Sequence, residues 1–131
     1  MKLESPTVTL NKSAEVAFNF LADVKNFELL MPETINKFEV LEKDKFLFAL
    51  KGMPEIVLKK KDATPNSEVV LGAAGGSLDF ALVATIDEID ANSCNVRLNF
   101  SGKFNTMIAM MIKTPLKNFI ETLVTNMKTA I

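Results

Sequence analysis

The sequence of 131 residues contains no histidine, tyrosine or tryptophan, only one arginine (Arg97) and only one cysteine (Cys94). The side chains that most often serve as general bases, phenolic acids or paired thiols are therefore missing, and a nucleophilic Cys94 would lack a histidine to activate it. One cysteine cannot close an internal disulfide, which fits a reducing compartment. No basic excess exists: Lys and Arg total 15 against 16 Asp and Glu, a net charge of −1, so general nucleic-acid binding is not expected. Long apolar runs are also absent. The longest, Met107 to Ile112, falls far short of the roughly 20 residues a membrane-spanning helix needs. At the start, Glu4 and Pro6 interrupt any apolar stretch of the kind a signal peptide requires, and a cytoplasmic protein is expected. With 5 glycines and 5 prolines there is no linker, repeat or low-complexity tract.

What is present is a chain for one folded domain spanning 1–131, 48% hydrophobic and 24% charged. The β-formers of residues 3–10 predict a strand. Ser13 is placed to cap a helix with Glu15 in its first turn, and Val16, Phe20, Leu21 and Val24 recur at helical spacing. A second short helix over Phe27–Met31 is stopped by Pro32. Strands are predicted over Ile35–Leu41, Lys45–Lys51, Glu55–Lys61, Glu68–Ala74, Ser77–Ile89 and Cys94–Phe104, with a loop over Asp62–Ser67. Ile108, Ile112, Leu116, Phe119, Ile120, Leu123 and Met127 then trace one apolar stripe along a final helix. Asn105 or Thr106 is its cap, and Pro115 is expected to kink or split it.

Strand side chains alternate between faces, so parity tests the pairing. A two-residue hairpin loop at Gly75-Gly76 sets Leu71 opposite Phe80 and Val69 opposite Leu82, with the large apolar residues on one face. The same test fails between Ile56/Leu58 and Val69/Leu71, which predicts a β-bulge between Lys59 and Val70. Antiparallel strands with helices at the two ends of the sequence indicate an α+β domain.

This order of elements resembles the helix-grip superfamily, which includes START domains, the birch-pollen allergen and the small bacterial polyketide cyclase/dehydrase-like (SRPBCC) proteins. Asn11-Lys12-Ser13-Ala14-Glu15-Val16-Ala17-Phe18 looks like the family's passage from strand to helix, and Asp23-Val24-Lys25-Asn26-Phe27 to Met31-Pro32 resembles its second helix. The resemblance implies a curved antiparallel sheet of about six or seven strands around the long C-terminal helix, with an apolar cavity between them. It supplies no catalytic residue to carry over.

Phe46, Phe48, Leu71, Phe80, Leu82, Leu98, Phe100, Met111, Leu116, Phe119 and Leu123 are the expected cavity lining, with Ala73, Ala84 and Gly102 as the places where room is left. The expected function is binding or transport of a lipid or polycyclic compound without catalysis. A cyclase-like enzyme and a solid-core interaction module are the alternatives. Met107, Met110 and Met111 suit core, cavity gate or oligomer contact, and the two-faced apolar run Phe46-Leu47-Phe48-Ala49-Leu50 leaves a homodimer open. Lys59-Lys60-Lys61 reads as a solvated edge strand, Asp87, Glu88, Asp90 and Asn92 as a solvated turn, Cys94 as a small buried hydrophobe and Arg97 as a surface ion-pair partner. No metal and no organic cofactor is expected.

Overall fold

The computed structural model describes residues 1–33, 35–51, 55–74 and 79–131. The chain opens with two short strands rather than one, β1 (Lys2–Glu4) and β2 (Val8–Leu10). Pro6 lies between them and has no N–H for a ladder. Both strands pair antiparallel with the same neighbour, but the register steps by one residue across the break: Leu3 faces Phe100, whereas Val8 faces Val96. That step lets Leu3, Val8 and Leu10 all point into the core despite their mixed parity. Ser5, the one buried polar residue among the described residues, stitches the break. Its backbone N–H donates to the Leu98 carbonyl at 2.9 Å, and its hydroxyl accepts from the Leu98 N–H at 2.9 Å.

Helix α1 (Ala14–Ala22) begins at Ser13, whose hydroxyl accepts from the Val16 N–H at 3.2 Å. Its buried face is Ala14, Ala17 and Leu21, so the expected stripe is rotated and Val16 is 46% exposed. The alanines, having almost no side chain, let the helix lie close to the sheet. A 3₁₀ helix follows (Val24–Leu30), capped by the Asp23 carboxylate on the Lys25 N–H, and its Phe27 stacks on Phe46 at 5.4 Å. The chain turns extended at Met31, ahead of Pro32.

Six longer strands complete the sheet: β3 (Ile35–Glu42), β4 (Lys45–Leu50), β5 (Ile56–Thr64), β6 (Glu68–Ala73), β7 (Asp79–Asp90) and β8 (Ser93–Lys103). The eight-stranded sheet runs β1-β8-β7-β6-β5-β4-β3, with β2 also on β8, so the expected strand count was short by the split first strand. The bulge is where parity required it: Lys60 faces Leu71 but Asp62 faces Val70, leaving Lys61 as the extra residue. Beyond it, β5 continues to Thr64, so the segment expected as a loop is half strand. The turn is short, with Asn66 at φ 63°, a conformation that asparagine tolerates better than most residues.

Two pairings differ from expectation. Leu71 faces Leu82 and Val69 faces Ala84, a slip of two residues from the predicted hairpin. An even slip leaves every inward side chain inward, so the hydrophobic pattern cannot detect it. The Gly75-Gly76 turn itself lies outside the described residues. Strand β5 is also no edge, since it lies between β4 and β6. Lys60 is not simply solvated: its ammonium donates to the Ala22 carbonyl at the end of α1 (3.1 Å) and pairs with Asp44 (3.3 Å). A cation at a helix C-terminus is favourably placed.

Helix α2 (Thr106–Ala130) starts at Asn105, whose side chain accepts from the Ile108 N–H at 2.9 Å, and runs through Pro115 without being split. Its buried face is Ile112, Leu116, Phe119, Ile120, Leu123, Val124 and Met127. The backbone of α2 comes near β1, β2, β8 and the 3₁₀ helix. Across the middle of the curved sheet, large side chains bridge the distance. Among the described residues, no helix is long and apolar enough to cross a membrane.

Candidate functional site

The alternation of β4, β7 and β8 aims Phe48, Phe80, Leu82 and Phe100 at α2, which answers with Leu116, Phe119 and Ile120. With Ile56 and Leu58 of β5 these side chains enclose a small void at the centre of the grip. Its volume is ≈ 10 Å³ and no polar surface lines it. That is about the space of one water, in surroundings that offer a water no partner. Phe48 and Phe119 close one side as a stacked pair, 4.8 Å apart and 10° from parallel.

Six of the expected lining residues thus surround the void: Phe48, Phe80, Leu82, Phe100, Leu116 and Phe119. Phe46, Leu71, Leu98 and Leu123 are buried in the same core without reaching it; Phe46 is held between Phe27 and Phe38, at 5.4 and 5.3 Å. Met111 does not line it. Met107, Met110 and Met111 are 74%, 77% and 65% exposed, because the first two turns of α2 turn Ile108 and Ile112 inward instead. Ile56, Leu58 and Ile120 complete the lining and were missed. Ile56 stands directly opposite Phe48, and Leu58 opposite Phe46. Pairing β5 with β4 would have found these two strand residues, whereas pairing β5 with β6 met the bulge first.

Room was expected above Gly102, and the structure fills it. A Cβ there would lie 2.5 Å from the Phe104 ring, which continues the series Phe80–Phe100–Phe104 at 5.8 and 6.2 Å. Ala84 is buried and adds no opening.

A second, larger hollow lies on the flank of α2. It measures ≈ 260 Å³ and is lined by Pro32, Leu50, Lys51, Pro115, Asn118, Phe119 and Thr122. Phe119 belongs to both hollows.

The remaining candidates are accounted for locally. Cys94 is fully buried on the inward face of β8, and burial pushes its thiol pKa up. Arg97 points outward and pairs with Glu4 at 3.3 Å. Asp90 accepts from the Asn92 N–H at 2.8 Å, and that bond, with help from Ser93, lowers its pKa within an exposed turn. Among the described residues, no group of His, Cys, Asp and Glu is arranged to hold a metal.

No family model and no curated protein matches the sequence. Solved structures do. A conserved protein from Geobacillus kaustophilus aligns over 98% of this chain and 93% of its own, with a TM-score of 0.71 and 14% identity. A START superfamily protein from Mycobacterium smegmatis aligns over 98% and 94%, with a TM-score of 0.69 and 12% identity. Norcoclaurine synthase from Thalictrum flavum, solved with dopamine and hydroxybenzaldehyde, aligns over 99% and 83%, with a TM-score of 0.71 and 10% identity. At such identities what is shared is the backbone architecture, which in this chain is an eight-stranded antiparallel sheet closed on a long C-terminal helix. The chain has the helix-grip fold.

Proposed function

We propose that the protein binds an apolar small molecule, a lipid or polycyclic compound, between the sheet and α2, and contributes shape and desolvation rather than chemistry. The observation that supports this reading is the wholly apolar void at the centre of the grip. Binding proteins for small molecules use hollows of roughly 300–1,000 Å³, so occupancy requires the lining to part. Half-buried Ile56 and Phe80 are the lining residues with least packing to lose. Near-closure of the void favours one other reading, a solid core whose two-faced strand β4 serves a protein partner.

Native and denaturing mass spectra of freshly purified protein separate the two. A reproducible mass excess in the native spectrum, lost on denaturation, is the expected result. A ligand-free mass, together with no thermal shift on adding apolar compounds of several shapes, would overturn the proposal in favour of the solid core.

A further inference from the structure

The flank hollow has a composition the central void lacks. Pro32, Leu50, Pro115 and Phe119 give it an apolar floor, and Lys51, Asn118 and Thr122 give it a polar rim. Lys51 is the single charged side chain among these lining residues. Asn118 and Thr122 are one helical turn apart on α2. The Thr122 hydroxyl donates to the Asn118 carbonyl at 2.8 Å, so its proton is already used within the helix. The donors left for a guest are the Lys51 ammonium and the Asn118 amide. One cation plus one neutral amide suits a singly charged carboxylate; a phosphate dianion calls for more positive charge.

Phe119 connects this rim to the interior. Phe119 is 4% exposed and forms a wall of both hollows, so this side chain lies between the ≈ 260 Å³ hollow and the ≈ 10 Å³ void. Turning that ring away from Phe48 would join the two into one channel with a cationic mouth and an apolar end.

Building on the proposed binding role, we propose that the flank hollow is the port of the grip and that its ligand is a small amphipathic carboxylate. The head group rests on Lys51 and Asn118, and the apolar tail displaces Phe119 and enters the space between sheet and helix. Phe119 is the gate.

The test compares octanoate, 1-octanol and acetate, titrated by chemical-shift changes into the wild-type protein and the Lys51→Gln variant. Lys51 is exposed at the end of β4, so the variant keeps the core intact. Octanoate is expected to bind the wild type about tenfold more tightly than 1-octanol, the scale of one hydrogen bond to a charged group. Lys51→Gln is expected to remove that advantage and leave 1-octanol unchanged. Equal affinity for octanoate and 1-octanol would overturn the carboxylate port while leaving apolar binding in place. Acetate binding as tightly as octanoate would overturn the entry of the tail. Failure of both eight-carbon compounds to bind would overturn the port together with the binding role it rests on.

Discussion

A thiol with no water around it is a poor acid, and Cys94 shows the consequence. Its neighbours across the ladder include Leu10 and it is fully buried, so the neutral form is favoured and the pKa is raised above 9.0. In the unfolded chain the thiol ionises near 9.0, before the folded one does. The stability this side chain contributes is therefore complete below that pH and is lost as pH rises toward the folded pKa. Urea unfolding at pH 7 and pH 10 should show the wild type losing more stability than Cys94→Val, which keeps an apolar side chain at the site and removes the titration. Equal losses would mean that Cys94 ionises as readily folded as unfolded. At this scale the sequence was informative wherever one face of a strand meets water. The alternation around Cys94, Val96, Leu98 and Phe100 placed each inward, and Arg97 outward, correctly. It was uninformative where a helix buries small residues: Val16 looked inward because it is large, but Ala14 and Ala17 hold the contact.

At the level of elements, α2 carries a proline in its interior that neither breaks the helix nor interrupts its apolar stripe. Pro115 supplies no N–H, so the Met111 carbonyl has no partner in the helical ladder. Pro115→Ala should restore that bond and raise the unfolding free energy by about 1–3 kcal/mol, measured by denaturant melts. An unchanged or lowered value would show that Pro115 contributes packing against the flank hollow worth as much as the bond. Caps and breakers are local and made two helix starts legible: Ser13 and Asn105 each bond the backbone three residues on, whereas the second short helix, expected over Phe27–Met31, begins at Val24 behind the unread cap Asp23. The bulge at Lys61 was legible because a parity conflict has no other cheap solution in a continuous ladder. The β6–β7 register was not, since a pattern of period two is blind to a slip of two. The candidate site inherited that limit. Leu82 and Phe80 were found, but Ile56 and Leu58 lay on the far side of the bulge.

For the whole molecule, the ≈ 10 Å³ void is a soft point that a single truncation would enlarge. Leu116 is 2% exposed and stands in its lining. Leu116→Ala should cost about 2–5 kcal/mol, the range for leucine truncation in a core. The widened cavity should then take up a small apolar probe, so that benzene raises the variant's melting temperature and leaves the wild type's unchanged. A variant that loses stability but gains nothing from benzene would show that the sheet and α2 collapse to fill the gap.

The split first strand bears on how this molecule behaves among its neighbours. Strand β8 pairs with β7 along one side, and on its other side, among the described residues, it meets only β1 and β2, each three residues long. Their grip is reinforced at two points: the Met1 ammonium donates to the Gly102 carbonyl at 2.7 Å, and Ser5 bonds Leu98. If this N-terminal clasp let go, β8 would present an open row of backbone donors and acceptors beside one apolar face, a template for strands of other copies. Agents that loosen these first ten residues should therefore provoke aggregation before they unfold the domain.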